Sequence, residues 1–116
     1  MLNITRENDG IVIVEFDVSD RPMNVIHEGL LTELEKTIPQ IYSDDTTKGV
    51  IFTSRRPEFI AGADLAMILK ADDYEKTHNI SWRLHCIFEQ IETSSTPSIA
   101  AINGTALGGG LEVALA

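Results

Sequence analysis

A single cysteine, Cys86, occurs in the 116 residues, which excludes an internal disulfide and any zinc site built from several thiolates and fits a reducing compartment. No apolar run approaches the length of a membrane span. The first nine residues include Asn3, Arg6, Glu7, Asn8 and Asp9 and lack the apolar core of a signal peptide. Basic residues are few: 9 Lys and Arg stand against 18 Asp and Glu, and the formal net charge of −9 opposes any broad attraction to nucleic acid or anionic lipid. The one arginine pair, Arg55-Arg56, lies in a turn ending at Pro57 and reads as solvated charge, a phosphate contact being the alternative. His27, His78 and His85 lack the i, i+4 spacing of a helical metal site, and Cys86 points to a different face from His85, so no metal is implied. These absences favour a cytoplasmic protein, or one of the mitochondrial matrix if a presequence has been removed. With 43% hydrophobic residues and no shift in composition, residues 1–116 read as one domain or part of one.

What is present is an alternation of strand and helix. Leu2 to Thr5 and Ile11 to Phe16 flank the turn cluster Asn8-Asp9-Gly10, which predicts an opening antiparallel hairpin. After the break at Asp20-Arg21-Pro22, Leu30, Leu34, Ile38 and Ile41 recur at helical spacing. Asn24 is the expected N-cap of that helix, and Pro39 is expected to kink it or end it near Ile38. Gly49 to Thr53 is apolar on both alternating faces and reads as a parallel strand buried between layers. The small-residue loop Ala61-Gly62-Ala63-Asp64 leads into a short helix from Leu65 to Lys70, with Asp64 as its cap. Ile80, Leu84, Ile87, Phe88 and Ile91 mark a longer helix that ends at Thr93-Ser94-Ser95-Thr96-Pro97, and Ser98 to Ile102 forms the next strand. The fold class is therefore α/β with a largely parallel sheet.

The segment most suited to chemistry is Asn103-Gly104-Thr105-Ala106-Leu107-Gly108-Gly109-Gly110-Leu111-Glu112, where a strand passes through three glycines into a helix that carries a carboxylate. Glycines let backbone N–H groups approach a ligand, and a helix start adds partial positive charge, so the segment is suited to an oxyanion. The plainer alternative is that the glycines allow close helix packing. Glu112 lies about one turn inside the helix, and Leu111, Val113 and Leu115 around it predict that it is partly buried. A phosphate loop is excluded because no Lys-Ser/Thr pair follows the glycines, and a dinucleotide loop because Val113 occupies the last glycine's place. A nucleophilic hydrolase needs Ser or Cys at the turn, where only Thr105 is available.

The two small-residue loops each follow a strand and precede a helix, so they are expected side by side at one sheet edge. Phe59-Ile60-Ala61-Gly62-Ala63-Asp64-Leu65 and Asn103-Gly104-x-Ala106-Leu107-Gly108-Gly109-Gly110-Leu111-Glu112 resemble the two fingerprints of the crotonase (enoyl-CoA hydratase/isomerase) superfamily. Arg21-Pro22-Met23-Asn24 fits the family's loop after the opening hairpin, and the resemblance covers the whole chain. It implies a crotonase-like spiral of ββα units, incomplete here, with residues 1–116 as the N-terminal part of one acyl-CoA-binding domain.

The resemblance further implies that the N–H groups of Ala63 and Gly109 hold the thioester oxygen as it becomes enolate-like. Met23, Asn24 and Val25, the stretch Ala61, Gly62, Ala63, Asp64 and Leu65, and the Gly108-Gly109 bend would bind the acyl-CoA. Coenzyme A arrives as part of the substrate, and no separate cofactor is implied. Family hydratases often carry a lysine two residues after the aspartate; Ala66 stands there, so that contact is absent or supplied elsewhere. Glu112 matches the first of two catalytic glutamates that orient and deprotonate a water. The second lies about twenty residues further on in the family, past Ala116. The implied function is 2-enoyl-CoA hydration in fatty-acid β-oxidation, with similarity to the hydratase region of multifunctional β-oxidation α-subunits. The alternatives are an enoyl-CoA isomerase or other crotonase-family enzyme, and a non-catalytic truncated binding or assembly module. The implied assembly is a homo-trimer or hexamer, or an α/β complex in the multifunctional branch.

Overall fold

The computed structural model describes all 116 residues. The hairpin forms as the turn cluster predicts: β1 (Leu2–Arg6) pairs antiparallel with β2 (Ile11–Phe16). β2 then pairs in parallel with β3 (Gly49–Ser54), and β3 with β4 (Ser98–Ala100), giving a four-stranded sheet in the order β1-β2-β3-β4. Between the parallel strands run α1 (Glu28–Ser43), then α2 (Leu65–Lys70) and α3 (Tyr74–Thr93), and α4 (Gly109–Leu115) follows β4.

One sheet face carries the core. Val12, Val14 and Phe16 of β2 and Val50 and Phe52 of β3 point to the same side, where Leu30, Leu31, Leu34, Ile38 and Ile41 of α1 and Ile87 and Ile91 of α3 cover them. The expectation that β3 lies between two layers is not met. Its back-face residues Ile51 and Thr53 are only half-buried, and the register aligns Ile13, Ile51 and Ile99 in an aliphatic row on that side. A strand that is apolar on both sides cannot by itself reveal whether a second layer is present.

Two expectations about α1 are corrected. Its N-cap is His27, whose ring accepts from the Leu30 N–H at 3.1 Å, and not Asn24. Pro39 does not end the helix, which continues to Ser43 because Ile38 and Ile41 are buried while Pro39 is exposed. On that outer side the freed carbonyl of Glu35 loses its helical donor at the helix surface, where water can replace it. The strand after α3 is shorter than expected, ending at Ala100. Beyond it, the Asn103 side-chain amide donates to the Ser54 carbonyl at 3.1 Å and to the Arg56 carbonyl at 3.0 Å, which draws the chain off the ladder.

α3 is fastened to α1 by one cation. Arg83 donates to both oxygens of Glu35, at 2.7 and 2.8 Å, to Thr32 Oγ1 at 3.2 Å, and also to Glu28. The Arg83 hydrogen bond holds the Glu35 carboxyl below the usual carboxylate range. Arg83→Met is expected to lower stability by roughly 1–2 kcal/mol near neutral pH, the range for a two-oxygen charged pair that is partly screened. The Glu35 value is depressed in the fold, so the pair's contribution is present above the usual carboxylate range and lost as pH falls from there through the lowered value. Urea midpoints of the two proteins should therefore converge on acidification.

Candidate functional site

Three segments meet beyond the C-terminal ends of the strands. Ile26 forms a parallel bridge with Ala63, and Ile60 forms one with Ala106. The lacing is through main chain: Ala61 N–H to Asn24 O at 2.8 Å, Ile26 N–H to Gly62 O at 2.8 Å, Asp64 N–H to Ile26 O at 2.9 Å, Ile60 N–H to Thr105 O at 3.1 Å, and Leu107 N–H to Ile60 O at 3.1 Å. The expected neighbourhood of the two small-residue loops is observed.

Each loop turns on a glycine in the left-handed region, Gly62 at φ +123° and Gly108 at φ +49°. The residue after each is the one singled out from sequence, Ala63 and Gly109. A peptide plane is rigid and trans, so a bonded carbonyl sets the direction of the N–H on the other side of the same plane. Gly62 O accepts from Ile26, so the Ala63 N–H faces away from Ile26; Gly108 O accepts from the Glu112 N–H at 3.0 Å, so the Gly109 N–H points out of the start of α4. Neither N–H donates to any group of the protein. The bends abut: a Cβ on Gly62 would lie 3.5 Å from Leu107 O, and one on Gly108 3.9 Å from Gly62 Cα.

Gly110 has a different task. A Cβ there would lie 2.1 Å from Ile60 O, and that carbonyl is already tied to the Leu107 N–H. The close-packing alternative thus applies to Gly110. Gly110→Ala is expected to cost at least the upper end of the roughly 1–3 kcal/mol typical of overpacking. Gly109→Ala meets only Ile26 Cδ1, at 2.9 Å, the movable end of a side chain, and is expected to cost clearly less. Thermal melts of the two variants compare them directly, and equal losses would contradict this account.

Glu112 lies in the first turn of α4 but is exposed, with no hydrogen-bond partner for its carboxylate. The expectation of partial burial is corrected, since Leu111 and Leu115 are exposed too and only Gly110 and Val113 of α4 are buried. A seven-residue helix against a three-residue strand covers only one narrow side.

The loop after the hairpin is built differently from its sequence appearance. Met23 is exposed and Val25 half-buried, while Asn24 is fully buried. Its side-chain oxygen accepts from Val18 N–H at 2.8 Å, and its amide donates to Ser54 Oγ at 2.7 Å, Phe59 O at 3.1 Å and Phe16 O at 3.2 Å. With its polar groups committed inside the protein, Asn24 shapes the loop and offers its side chain to no ligand. Arg56 is likewise not free charge: its guanidinium donates to the carbonyls of Val18, Arg21 and Pro22, holding the loop from the opposite side.

Asp64 caps α2 as expected, accepting from the Ala66 N–H at 3.3 Å, and also receives Arg21 at 3.2 Å; Leu65 beyond it is exposed. Arg21 in turn meets Asp20, whose other oxygen lies 3.0 Å from His27 Nε2. The His27 hydrogen bond keeps the Asp20 carboxyl below the usual carboxylate range. This charged cluster was not evident from sequence, because histidine is not among the usual capping residues. It lines a cleft of about 750 Å³ between the starts of α1 and α3 and the side of α2. Of the residues expected to bind acyl-CoA only Asp64 borders that cleft, and neither Gly109 nor Glu112 reaches it, so its size does not make it the site of chemistry.

Comparison with known proteins places these features in a family. Residues 6–116 match the family described as enoyl-CoA hydratase/isomerase. The chain is 38% identical over 115 residues to the fatty acid oxidation complex subunit alpha of Shewanella frigidimarina, covering 98% of this chain and 16% of that protein. It is 37% identical over 110 residues to the same subunit of Idiomarina loihiensis, covering 94% of this chain and again 16% of the relative. Among solved structures, DspI of Pseudomonas aeruginosa aligns with a TM-score of 0.85 at 33% identity, over 98% of this chain and 46% of that one. An enoyl-CoA hydratase of Bacillus anthracis aligns with a TM-score of 0.86 at 31% identity, over 98% of this chain and 44% of that one. The chain thus spans less than half of these structures and about a sixth of the curated relatives.

Proposed function

This chain belongs to the enoyl-CoA hydratase/isomerase family, and we propose that its site takes part in adding water across the double bond of a 2-enoyl-CoA, a step of fatty-acid β-oxidation in the cytoplasm. The observation that carries this reading is the pair of main-chain N–H groups, Ala63 and Gly109, left without a protein acceptor on two abutting glycine bends. An enolate carries oxygen charge that the ground-state thioester lacks, so donors fixed in advance stabilise the transition state selectively, by roughly 2.7–4 kcal/mol each. Met23, Val25, Ala61, Gly62, Asp64, Leu65 and Gly108 then frame the acyl-CoA, with Asn24 holding their loops in register. Glu112 activates the water. A second carboxylate returns the proton to the neighbouring carbon, and it lies outside these residues. The proposed assembly is a trimer or hexamer, or an α/β complex as the fatty acid oxidation relatives' names suggest.

Isomerisation is the neighbouring reaction in the same family, and Glu112 in the first turn of α4 favours hydration over it. The test offers the whole natural protein a short 2-enoyl-CoA and, separately, a 3-enoyl-CoA. Loss of the conjugated enoyl thioester absorbance with the first supports hydration. Gain of that absorbance with the second, and none of the first change, would replace it with isomerisation. Binding of a CoA ester with neither change would make the chain a binding module.

A further inference from the structure

We infer that His27, Asp20 and Arg21 are positioning residues for the main-chain donor at Ala63, an inference that rests on the proposed oxyanion role of that N–H. The hydrogen bonds form a closed path. His27 accepts from Leu30 N–H through Nδ1, which places the ring proton on Nε2, and Nε2 faces Asp20 Oδ1 at 3.0 Å. Asp20 Oδ2 meets Arg21 Nη1 at 3.2 Å, and Arg21 Nε and Nη2 reach Asp64 Oδ2 at 3.3 and 3.2 Å. The Asp64 N–H returns to Ile26 O at 2.9 Å, the residue before His27. Ala63 lies next to this path: the plane that carries its N–H is held by Ile26 N–H on Gly62 O, and the following plane by the N–H of Asp64 on Ile26 O.

The imidazole is built in rather than placed by chance. Its side chain is 5% exposed, and both ring nitrogens are engaged. A Cβ on Gly29 would lie 2.9 Å from its Cε1, so the glycine in the first turn of α1 makes the room for the ring to fold back over the helix start. A helix start alone is served as well by Ser, Asp or Asn. What the imidazole adds is length: it caps α1 with one nitrogen and reaches Asp20 with the other, so the start of α1 and the start of α2 share one polar frame. The frame acts on the Gly62–Ala63 plane through its neighbours: it anchors Asp64 on one side and the start of α1, next to Ile26, on the other, and Ile26 N–H holds Gly62 O directly.

The test separates capping from positioning. His27→Asn retains a side-chain acceptor for the cap but is too short to reach Asp20, and Arg21→Gln cuts the frame at its other joint. In both variants of the whole natural protein, kcat for enoyl-CoA hydration is expected to fall about tenfold or more with KM within about twofold, while Tm changes little for His27→Asn. In amide spectra the Ala63 resonance moves in both variants and the Gly109 resonance does not. Imidazole nitrogen shifts of the unsubstituted protein report a bare Nδ1 and a protonated Nε2. An unmoved Ala63 resonance, or wild-type kcat in both variants, overturns the inference. Should the unsubstituted protein hydrate no enoyl-CoA, the reading of the reaction falls, and the Ala63 and Gly109 resonances still decide whether the frame orients that amide.

Discussion

Glu112→Gln is expected to slow hydration of a short 2-enoyl-CoA by about 10²–10⁴-fold, the range for a positioned general base, while leaving CoA-ester affinity within about threefold. The amide keeps the shape of the carboxylate and one acceptor oxygen, replaces the other with a donor NH2, and cannot take a proton from water. α4 itself is unaffected, since its first turn is closed by the Glu112 backbone N–H on Gly108 O and not by the side chain. The loss should appear in kcat and in kcat/KM alike, as for a group that acts only in the transition state. Turnover measured beside calorimetric binding of a CoA ester decides it. Unchanged turnover would remove Glu112 from the mechanism, and lost binding would make it a contact to the substrate instead.

Asn24→Ala is expected to give the largest loss of stability among single side-chain truncations around the site. Not every partner is orphaned. Phe16 O keeps the Arg55 N–H at 3.1 Å, and Ser54 Oγ keeps its two contacts with the Arg56 main chain. Val18 N–H and Phe59 O are left with nothing. Two buried groups without partners at roughly 1–3 kcal/mol each, together with the small cavity, give a loss of about 3–5 kcal/mol. That is a large share of a typical domain's stability. Asn24→Asp should do no better, since it keeps the acceptor for Val18 but turns a carboxylate toward Phe16 O and Phe59 O. Urea unfolding at constant m-value is the measurement, and a loss below about 1 kcal/mol would show that water repairs the site.

Much of the architecture is legible in local pattern. The hairpin, α1, β3 and α3 follow from turn residues and from the spacing of Leu30, Leu34, Ile38 and Ile41 or of Ile80, Leu84 and Ile87. The capping role of Asp64 is legible too, because its partner is two residues away. Asn24 is the instructive failure. A local reading offers it only the nearby helix, whereas its partners lie at Phe16, Val18, Ser54 and Phe59, brought together by the pairing of β2 with β3 and the loops that follow them. His27 was invisible for the same reason in reverse: the space it needs comes from Gly29 and its second partner from Asp20, neither of which signals a cap. The loops carrying Ala63 and Gly109 were readable from their glycines, since positive φ leaves a compositional mark. The exposure of Glu112 was not, because apolar neighbours in sequence do not say whether a second surface covers them.

The way Asn24 is tied also bears on how the chain matures on the ribosome. β1, β2 and α1 are all complete by Ser43, but the contacts that enclose the carboxamide wait for Ser54 and Phe59. At about 5–20 residues per second, elongation leaves an interval of order a second in which the nascent hairpin and helix must shelter their apolar sides without β3. Slowing the synthesis that delivers residues 44–59 out of the ribosome should lengthen that interval and increase engagement by chaperones.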